Sequence, residues 1–412
     1  MNLDALTDKF VEQWNRTSSE KPNWGAVVDA VEKKQRAACV DRFFKSMKKL
    51  EPGLASSVDQ PWIDALILIQ LRDLFQEAFA YQHEEIDLMF SQEMMNSTKA
   101  FVRKARAMDS ELSMTSIFQA CRNVWIMNGL QLILGRKVEL TPSIFAYSML
   151  YPYTDNFVDD PEISRQEKQL FSLRFEQRLS GERIAAVNDH ERKIFGMVEL
   201  IEGQYDREKY PGVFNSLLDI HRAQTESMVL LNADLVTSEE ALRVCLAKGG
   251  ASVLADGYLI AGDLTPKEVD FLYGYGAYLQ LLDDIQDVGE DLNDGLMTCF
   301  SMAGKEQELD EVLYKTFNFG DAVLDSSKDL WASVNLDFKG LLQKSILLFF
   351  VESVATDTKY YSPQLQLEIE EVSPLSLEFV RSRRNFFTPQ KHLMLAKLEK
   401  LVRLTEADSV VS

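Results

Sequence analysis

Apolar residues recur along this chain with the period of a helix, and long runs of strand-like alternation are absent. Leu3–Trp14 carries a short amphipathic stripe. A longer one spans Trp24–Lys49, bounded by Lys21-Pro22 and Pro52-Gly53. Pro61–His83 is apolar over a broad face, through Trp62, Leu66, Leu68, Leu71, Leu74, Phe75 and Phe79, and Ile86–Met108 follows. Ser116–Leu134 is mostly apolar, the pattern of a central helix. Arg122 and Asn123 interrupt it, and are either locked in hydrogen bonds or directed into a cavity.

Pro142 opens a helix over Ser143–Leu150, and Pro152 then predicts a kink or the start of a new helix carrying Asp155 and Asp159, which Pro161 ends. Glu167–Leu179 and Ile184–Gln204 read as ordinary amphipathic helices, while Gly212–Asn232 places His221, Gln224 and Ser227 on roughly one face, either as structural residues or as a polar wall. Ala241–Ala261 is apolar except for an unusual Lys248-Gly249-Gly250. Lysine is costly to bury without an anion, although it can also snorkel to the surface. The two glycines either admit a close backbone neighbour or break the helix and free N–H groups for an anion. Pro266 opens the helix leading to the most acidic stretch. Further helices are expected over Glu306–Phe317, Ala322–Val334, Phe338–Ala355 and Leu375–Phe387, with a basic-apolar tail helix to Leu404. No repeat or linker divides the chain. The expectation is an all-α, single-domain bundle, residues 101–412, with residues 1–100 as a helical extension packed on it.

Composition narrows the partners. At 412 residues with 46% hydrophobic content the chain can bury a large core, and its net charge of −20 argues against nucleic acid or an anionic membrane. Cys39, Cys121, Cys245 and Cys299 are far apart and form no CxxC pair, as expected of reduced thiols in the cytoplasm. His83, His190, His221 and His392 have no zinc-site spacing. No signal peptide is evident, and no apolar run is long enough for a stable membrane span.

The candidate chemistry lies in two acidic stretches. Tyr278–Gly295, YLQLLDDIQDVGEDLNDG, holds Asp283, Asp284, Asp287, Glu290, Asp291 and Asp294. The spacing of Asp283, Asp287 and Asp291 stacks three carboxylates on one helix face, where like charges repel. Apolar neighbours Leu281, Leu282 and Ile285 imply partial burial, so a counter-charge is needed, and a hard divalent cation with oxygen ligands supplies one. Upstream, YPYTDNFVDDPEIS places Asp155 and Asp159 four apart, with Asp160 following. Each stretch alone also reads as a solvated acidic face. Together, and with Lys248, they point to a metal-dependent diphosphate site.

These motifs resemble those of the isoprenoid synthase superfamily. QLLDDIQD, Gln280–Asp287, is similar to the second aspartate-rich motif of trans-prenyl diphosphate synthases, and DVGED, Asp287–Asp291, to the second motif of phytoene synthases. DNFVDD, Asp155–Asp160, resembles the first motif of squalene and phytoene synthases. Lys248 falls 35 residues before Asp283, where prenyl synthases carry a diphosphate-binding lysine. The resemblance covers about Ser116–Asn293. The isopentenyl diphosphate site of chain-elongating enzymes is missing, as is the Asn/Ser/Glu motif of plant and fungal cyclases. The combination looks most like bacterial terpene synthases related to prenyltransferases.

That resemblance implies a helical bundle around a central cavity and a Mg2+-dependent terpene synthase that ionises and cyclises one linear prenyl diphosphate. Head-to-head condensation and head-to-tail elongation are the alternatives. It further implies a set of Mg2+ ions, three by the resemblance, on Asp155, Asp159, Asp160, Asp283, Asp284, Asp287 and Asp291. Lys248, Gln280, Arg383 and Arg384 would meet the diphosphate. Phe118, Trp125, Phe145, Tyr147, Tyr151 and Phe157 are candidates to line the cavity, where aromatic faces stabilise a carbocation. Relatives of this fold are often homodimers. A non-enzymatic acidic scaffold that binds metal is the remaining reading.

Overall fold

Helix starts are written locally in this chain. Ser164, Thr237 and Thr265 each accept a hydrogen bond from the backbone of a glutamate three residues on, and Glu167, Glu240 and Glu268 return one, closing three capping boxes. Ser113, Thr141, Asn188 and Ser362 cap further helices with a side-chain oxygen. The computed structural model describes residues 2–49, 60–160, 162–231, 236–306, 308–326, 328–330 and 338–383. The side chains of Tyr151, Asp155 and Asp159 lie outside that description, although their helix lies within it.

Among the described residues the protein is all helical, with no strand. The first half holds α1 (Leu3–Arg16), α2 (Ala30–Lys49), α3 (Gln60–Phe79), α4 (His83–Met89), α5 (Gln92–Met108), α6 (Met114–Ile133), α7 (Pro142–Asp159), α8 (Arg165–Leu179) and α9 (Asp189–Gln204). The second holds α10 (Pro211–Ser227), α11 (Ser238–Ala261), α12 (Pro266–Gln286), α13 (Val288–Asp294), α14 (Cys299–Glu306), α15 (Asp310–Ser326), α16 (Phe338–Thr356) and α17 (Pro363–Val372). A 3-10 turn, Met228–Leu231, follows α10.

The bundle is organised around α11, which packs against α1, α6, α7, α10, α12 and α14. Among the described residues it is also the one helix long and apolar enough to cross a membrane, but 67% of its apolar window is buried by its neighbours. The N-terminal helix belongs to the same core. Thr7 Oγ1 and Tyr273 OH lie 2.7 Å apart, Phe10 stacks on Tyr273, and Trp14 meets Phe319 edge-on. Helices α2 and α3 form a separate apolar cluster, in which Cys39, Val40, Phe43, Leu74 and Ala78 close on Leu375.

Several expected boundaries moved, each for a tertiary reason. The helix expected from Trp24 begins at Ala30. Trp24 sits in an extended arm, its ring 4.8 Å from Phe317 and its indole N–H donating to the buried Glu368. The stretch Pro61–His83 breaks at Ala80, whose φ of 56° turns the chain so that Tyr81 OH reaches Ser345 Oγ at 2.9 Å. Pro152 neither ends nor restarts α7, which runs unbroken from Pro142 to Asp159. An interior proline costs a helix about 3 kcal/mol, so neighbouring packing holds this one. The tail expected to continue to Leu404 lies outside the described residues, as does Arg384.

Candidate functional site

The contact between α11 and α12 sets the site. The expected alternatives at Gly249-Gly250 resolve in favour of close approach, because α11 is continuous through both glycines. A Cβ on Gly249 would lie 2.4 Å from the Gly276 carbonyl oxygen, and one on Gly276 would lie 2.2 Å from the Gly249 carbonyl oxygen. The two backbones touch there, and the antiparallel register carries Cys245 and Lys248 of α11 alongside Gln280 and Asp284 of α12.

Asp284 is buried. Its Oδ1 accepts from Gln280 Nε2 at 2.9 Å, while its Oδ2 is buried with no hydrogen bond. Burial pushes its carboxyl up to about 6; the Gln280 amide, the Cys245 thiol and the Lys248 ammonium oppose that rise, and Asp283 adds to it. Lys248 is half-buried, and no hydrogen bond or ion pair to a described residue occupies its ammonium. Gln280 therefore orients Asp284, and Lys248 places a positive charge beside it.

The expected stack of three carboxylates on one face does not form. α12 ends at Gln286, and Asp287 is the bend before α13, with φ −100° and ψ 7°. Asp283 and Asp287 remain exposed, whereas Asp291 turns inward and accepts from Thr298 Oγ1 at 3.3 Å. Burial, followed by repulsion from Asp284, Asp287 and Asp283, pushes the Asp291 carboxyl up to about 7. Asp284 and Asp291, both pushed up by burial and by neighbouring carboxylates, mark a place where a positive charge would be favourable. Cys245 and Cys299 adjoin it, both with thiols raised well above the ordinary range by burial and by Asp284. Nothing in the sequence flagged Thr298 or the thiols, since Gly295 separates Thr298 and Cys299 from the acidic run.

The first acidic stretch lies at the same end of the bundle. Ser143 Oγ donates to the Leu259 carbonyl at 2.8 Å, and Tyr147 packs against the cluster containing Ala251 and Ala255, so α7 runs antiparallel to α11. With a rise of 1.5 Å per residue, Asp155 lies about 18 Å along α7 from Ser143. That places it level with the Cys245–Lys248 turn. At about 100° per residue, position 155 falls about 20° around α7 from Ser148 and about 80° from Tyr147. Ser148 faces α6, accepting from Asn123 at 3.2 Å, and Tyr147 faces α11. Positions 155 and 159 thus both lie within about 20° of Ser148, on the sector of α7 turned towards α6. Asp160 is the C-cap of α7 and accepts from the Glu162 amide at 2.9 Å. Among the described residues no group of three His, Cys, Asp or Glu side chains is placed to hold a metal ion. The α12–α13 carboxylates alone do not close a cage, and one would have to draw on Asp155 and Asp159.

The remaining expected residues scatter. Arg383 pairs with Asp41 of α2 and lies over the Phe379 ring. Phe145 is fully buried against Phe101. Trp125 is exposed, its indole N–H on Thr98 Oγ1 at 3.0 Å and its ring edge-on to the half-buried Phe118. Phe157 stacks on His190. Of the interrupting pair on α6, Arg122 points outward and Asn123 is locked to Ser148.

Asp256 went unremarked in the sequence. It is fully buried two turns beyond Lys248, with Oδ1 unbonded, and burial holds its carboxyl well above the ordinary range. Compared with protein-family models, curated proteins and solved structures, the chain shows no significant match. Among the described residues the chain is an all-helical protein with an acidic, lysine-bearing end.

Proposed function

We propose that the end of the bundle where α7, α11, α12 and α13 converge is the diphosphate site of a Mg2+-dependent terpene synthase acting on a linear prenyl diphosphate. One observation carries this reading. Lys248, with no hydrogen bond or ion pair to a described residue, lies within electrostatic reach of the buried Asp284 carboxyl, level with a second aspartate pair on α7. Carboxylate oxygens are the donors Mg2+ prefers, and Mg2+ keeps open positions for phosphate oxygens. The buried, unbonded Oδ2 of Asp284 fits a site completed by a cation.

Bound Mg2+ would neutralise charge on a departing diphosphate. In the proposed reaction, the substrate's allylic carbon–oxygen bond breaks and its electron pair leaves with the diphosphate. Lys248 donates hydrogen bonds to that group as its charge grows, favouring the transition state over the ground state. Asp283 and Asp287, the exposed members, would hold the ions. Gln280 fixes the Asp284 carboxyl beside them. The core helices that face one another behind this end, α6, α7 and α11, are mostly apolar, with Asn123, Ser148 and Asp256 among the polar exceptions; shielding a carbocation from water requires a largely apolar wall.

The test is incubation with geranyl, farnesyl and geranylgeranyl diphosphate plus Mg2+, following diphosphate release and product mass. Release from a single substrate is expected, and Lys248→Ala or Asp287→Ala should lower kcat by roughly a hundred- to a thousandfold. Strict dependence on isopentenyl diphosphate would replace this reading with chain elongation. A product of doubled length would replace it with head-to-head condensation. Absence of turnover in the wild type would leave an acidic metal-binding scaffold.

A further inference from the structure

The last turns of α7 are clamped through Tyr153 and Phe157. Tyr153, two residues before Asp155, donates its hydroxyl to Asp109 Oδ2 at 2.7 Å. Lys193 of α9 donates to the same oxygen at 2.5 Å, and its ammonium stands 5.6 Å from the Tyr153 ring centroid. Asp109 is the C-cap of α5, 8% exposed, and its Oδ1 accepts from the Glu111 amide at 3.1 Å. Burial would raise this carboxyl, but the bonds from Lys193 and Tyr153 outweigh it, so Asp109 stays ionised. One turn along α7, Phe157 stacks on His190 of α9 with centroids 4.7 Å apart and meets Phe171 of α8 at 4.8 Å.

Positions 153 and 157 share one face of α7, and positions 155 and 159 lie about 120° to 160° around the helix from them. Holding the first face against α5, α8 and α9 therefore fixes the rotation of the second. The need is acute because Pro152 removes a backbone hydrogen bond just before this segment, loosening the turn that leads into it.

We propose that Asp109 is a positioning residue: through Tyr153 and Lys193 it sets the rotation of the last turns of α7 and so presents Asp155 and Asp159 to the diphosphate site. The inference rests on the terpene synthase reading and adds to it a residue that touches neither substrate nor metal. Asp109 lies far from both acidic motifs in sequence, and an aspartate closing a helix is unremarkable by itself.

The experiment compares Asp109→Asn, Tyr153→Phe and Lys193→Arg with wild type, measuring the Mg2+ concentration for half-maximal diphosphate release alongside the urea midpoint. Asp109→Asn and Tyr153→Phe are expected to raise half-saturating Mg2+ about tenfold, as loss of supporting partners does at metal sites. Lys193→Arg, which keeps the donor, should stay near wild type. A merely structural role would lower the urea midpoint and leave the Mg2+ requirement of the folded enzyme unchanged, which would overturn the proposal. Tyr153→Phe removes one hydroxyl only, so it keeps the test decisive should Asp109→Asn not fold. Wild type without Mg2+-dependent release sinks the functional reading and the positioning role with it; an active wild type with unaffected variants sinks the positioning role alone.

Discussion

Replacing Gly276 by alanine is expected to destabilise the protein by about 3 kcal/mol or more, at the upper end for overpacking a core. The added carbon would sit 2.2 Å from the Gly249 carbonyl oxygen, and its next neighbours are the Gly249 carbonyl carbon and the Val253 Cβ. Backbone atoms of a continuous helix cannot swing aside as the end of a side chain can, so α11 and α12 must move apart. Separation would also pull Lys248 and Cys245 away from Asp284. Gly196→Ala in the interior of α9 is the control: nothing lies within 4 Å of the added carbon, and losing a helical glycine should stabilise by about 1 kcal/mol. Urea unfolding of the two variants checks both signs. Equal midpoints would show that the close approach of the two helices is not a constraint.

Stability of the metal-free protein is expected to fall as pH rises from about 4 to about 7. The Asp284 carboxyl is held up to about 6 in the fold, against an ordinary value of 3.8, chiefly by burial. Between those values the folded state binds more protons than the unfolded state, so the unfolding free energy decreases with pH. A displacement of about two units corresponds to about 3 kcal/mol by the time Asp284 is fully ionised. Asp291, held up to about 7 by burial and by its acidic neighbours, extends the decline to neutral pH. Asp284→Asn should therefore be more stable than wild type at pH 7.5 and show a shallower slope, since an amide keeps the acceptor for Gln280 without the charge. A variant less stable than wild type at pH 7.5 would mean that the carboxylate is a stabilising partner after all. Cations that fill the site should recover the lost stability in wild type and recover less in Asp283→Asn/Asp287→Asn.

Asp109, Glu191, Glu202 and Glu368 act in the opposite sense. Despite burial, their partners Lys193, Arg174, Arg178 and Gln364 with Lys21 hold these carboxyls below the ordinary range. Their contribution is present above about pH 4 and is lost as pH falls through their folded values. The metal-free protein should thus have a stability maximum on the acidic side of neutrality.

Periodic apolar positions, capping residues and prolines were enough to make the chain helical and to delimit most of its helices, because those signals act within a turn or two of themselves. Thr237 with Glu240 and Thr265 with Glu268 start the two central helices without help from elsewhere. The acidic runs and Lys248 were legible too, since a charge in an apolar helix stands out whatever surrounds it. Other features depended on contacts distant in sequence. Trp24 is extended because Phe317 and Glu368 receive it, and Asp291 is buried because the chain bends at Asp287 and Thr298 returns to meet it. Gly249 could have broken its helix; the carbonyl of Gly276, pressed against it, shows that its use is to admit another backbone. Local residues chose the helices, and the register in which those helices touch decided which carboxylates face Lys248, because that register is set by steric fit between segments that no short stretch of sequence contains.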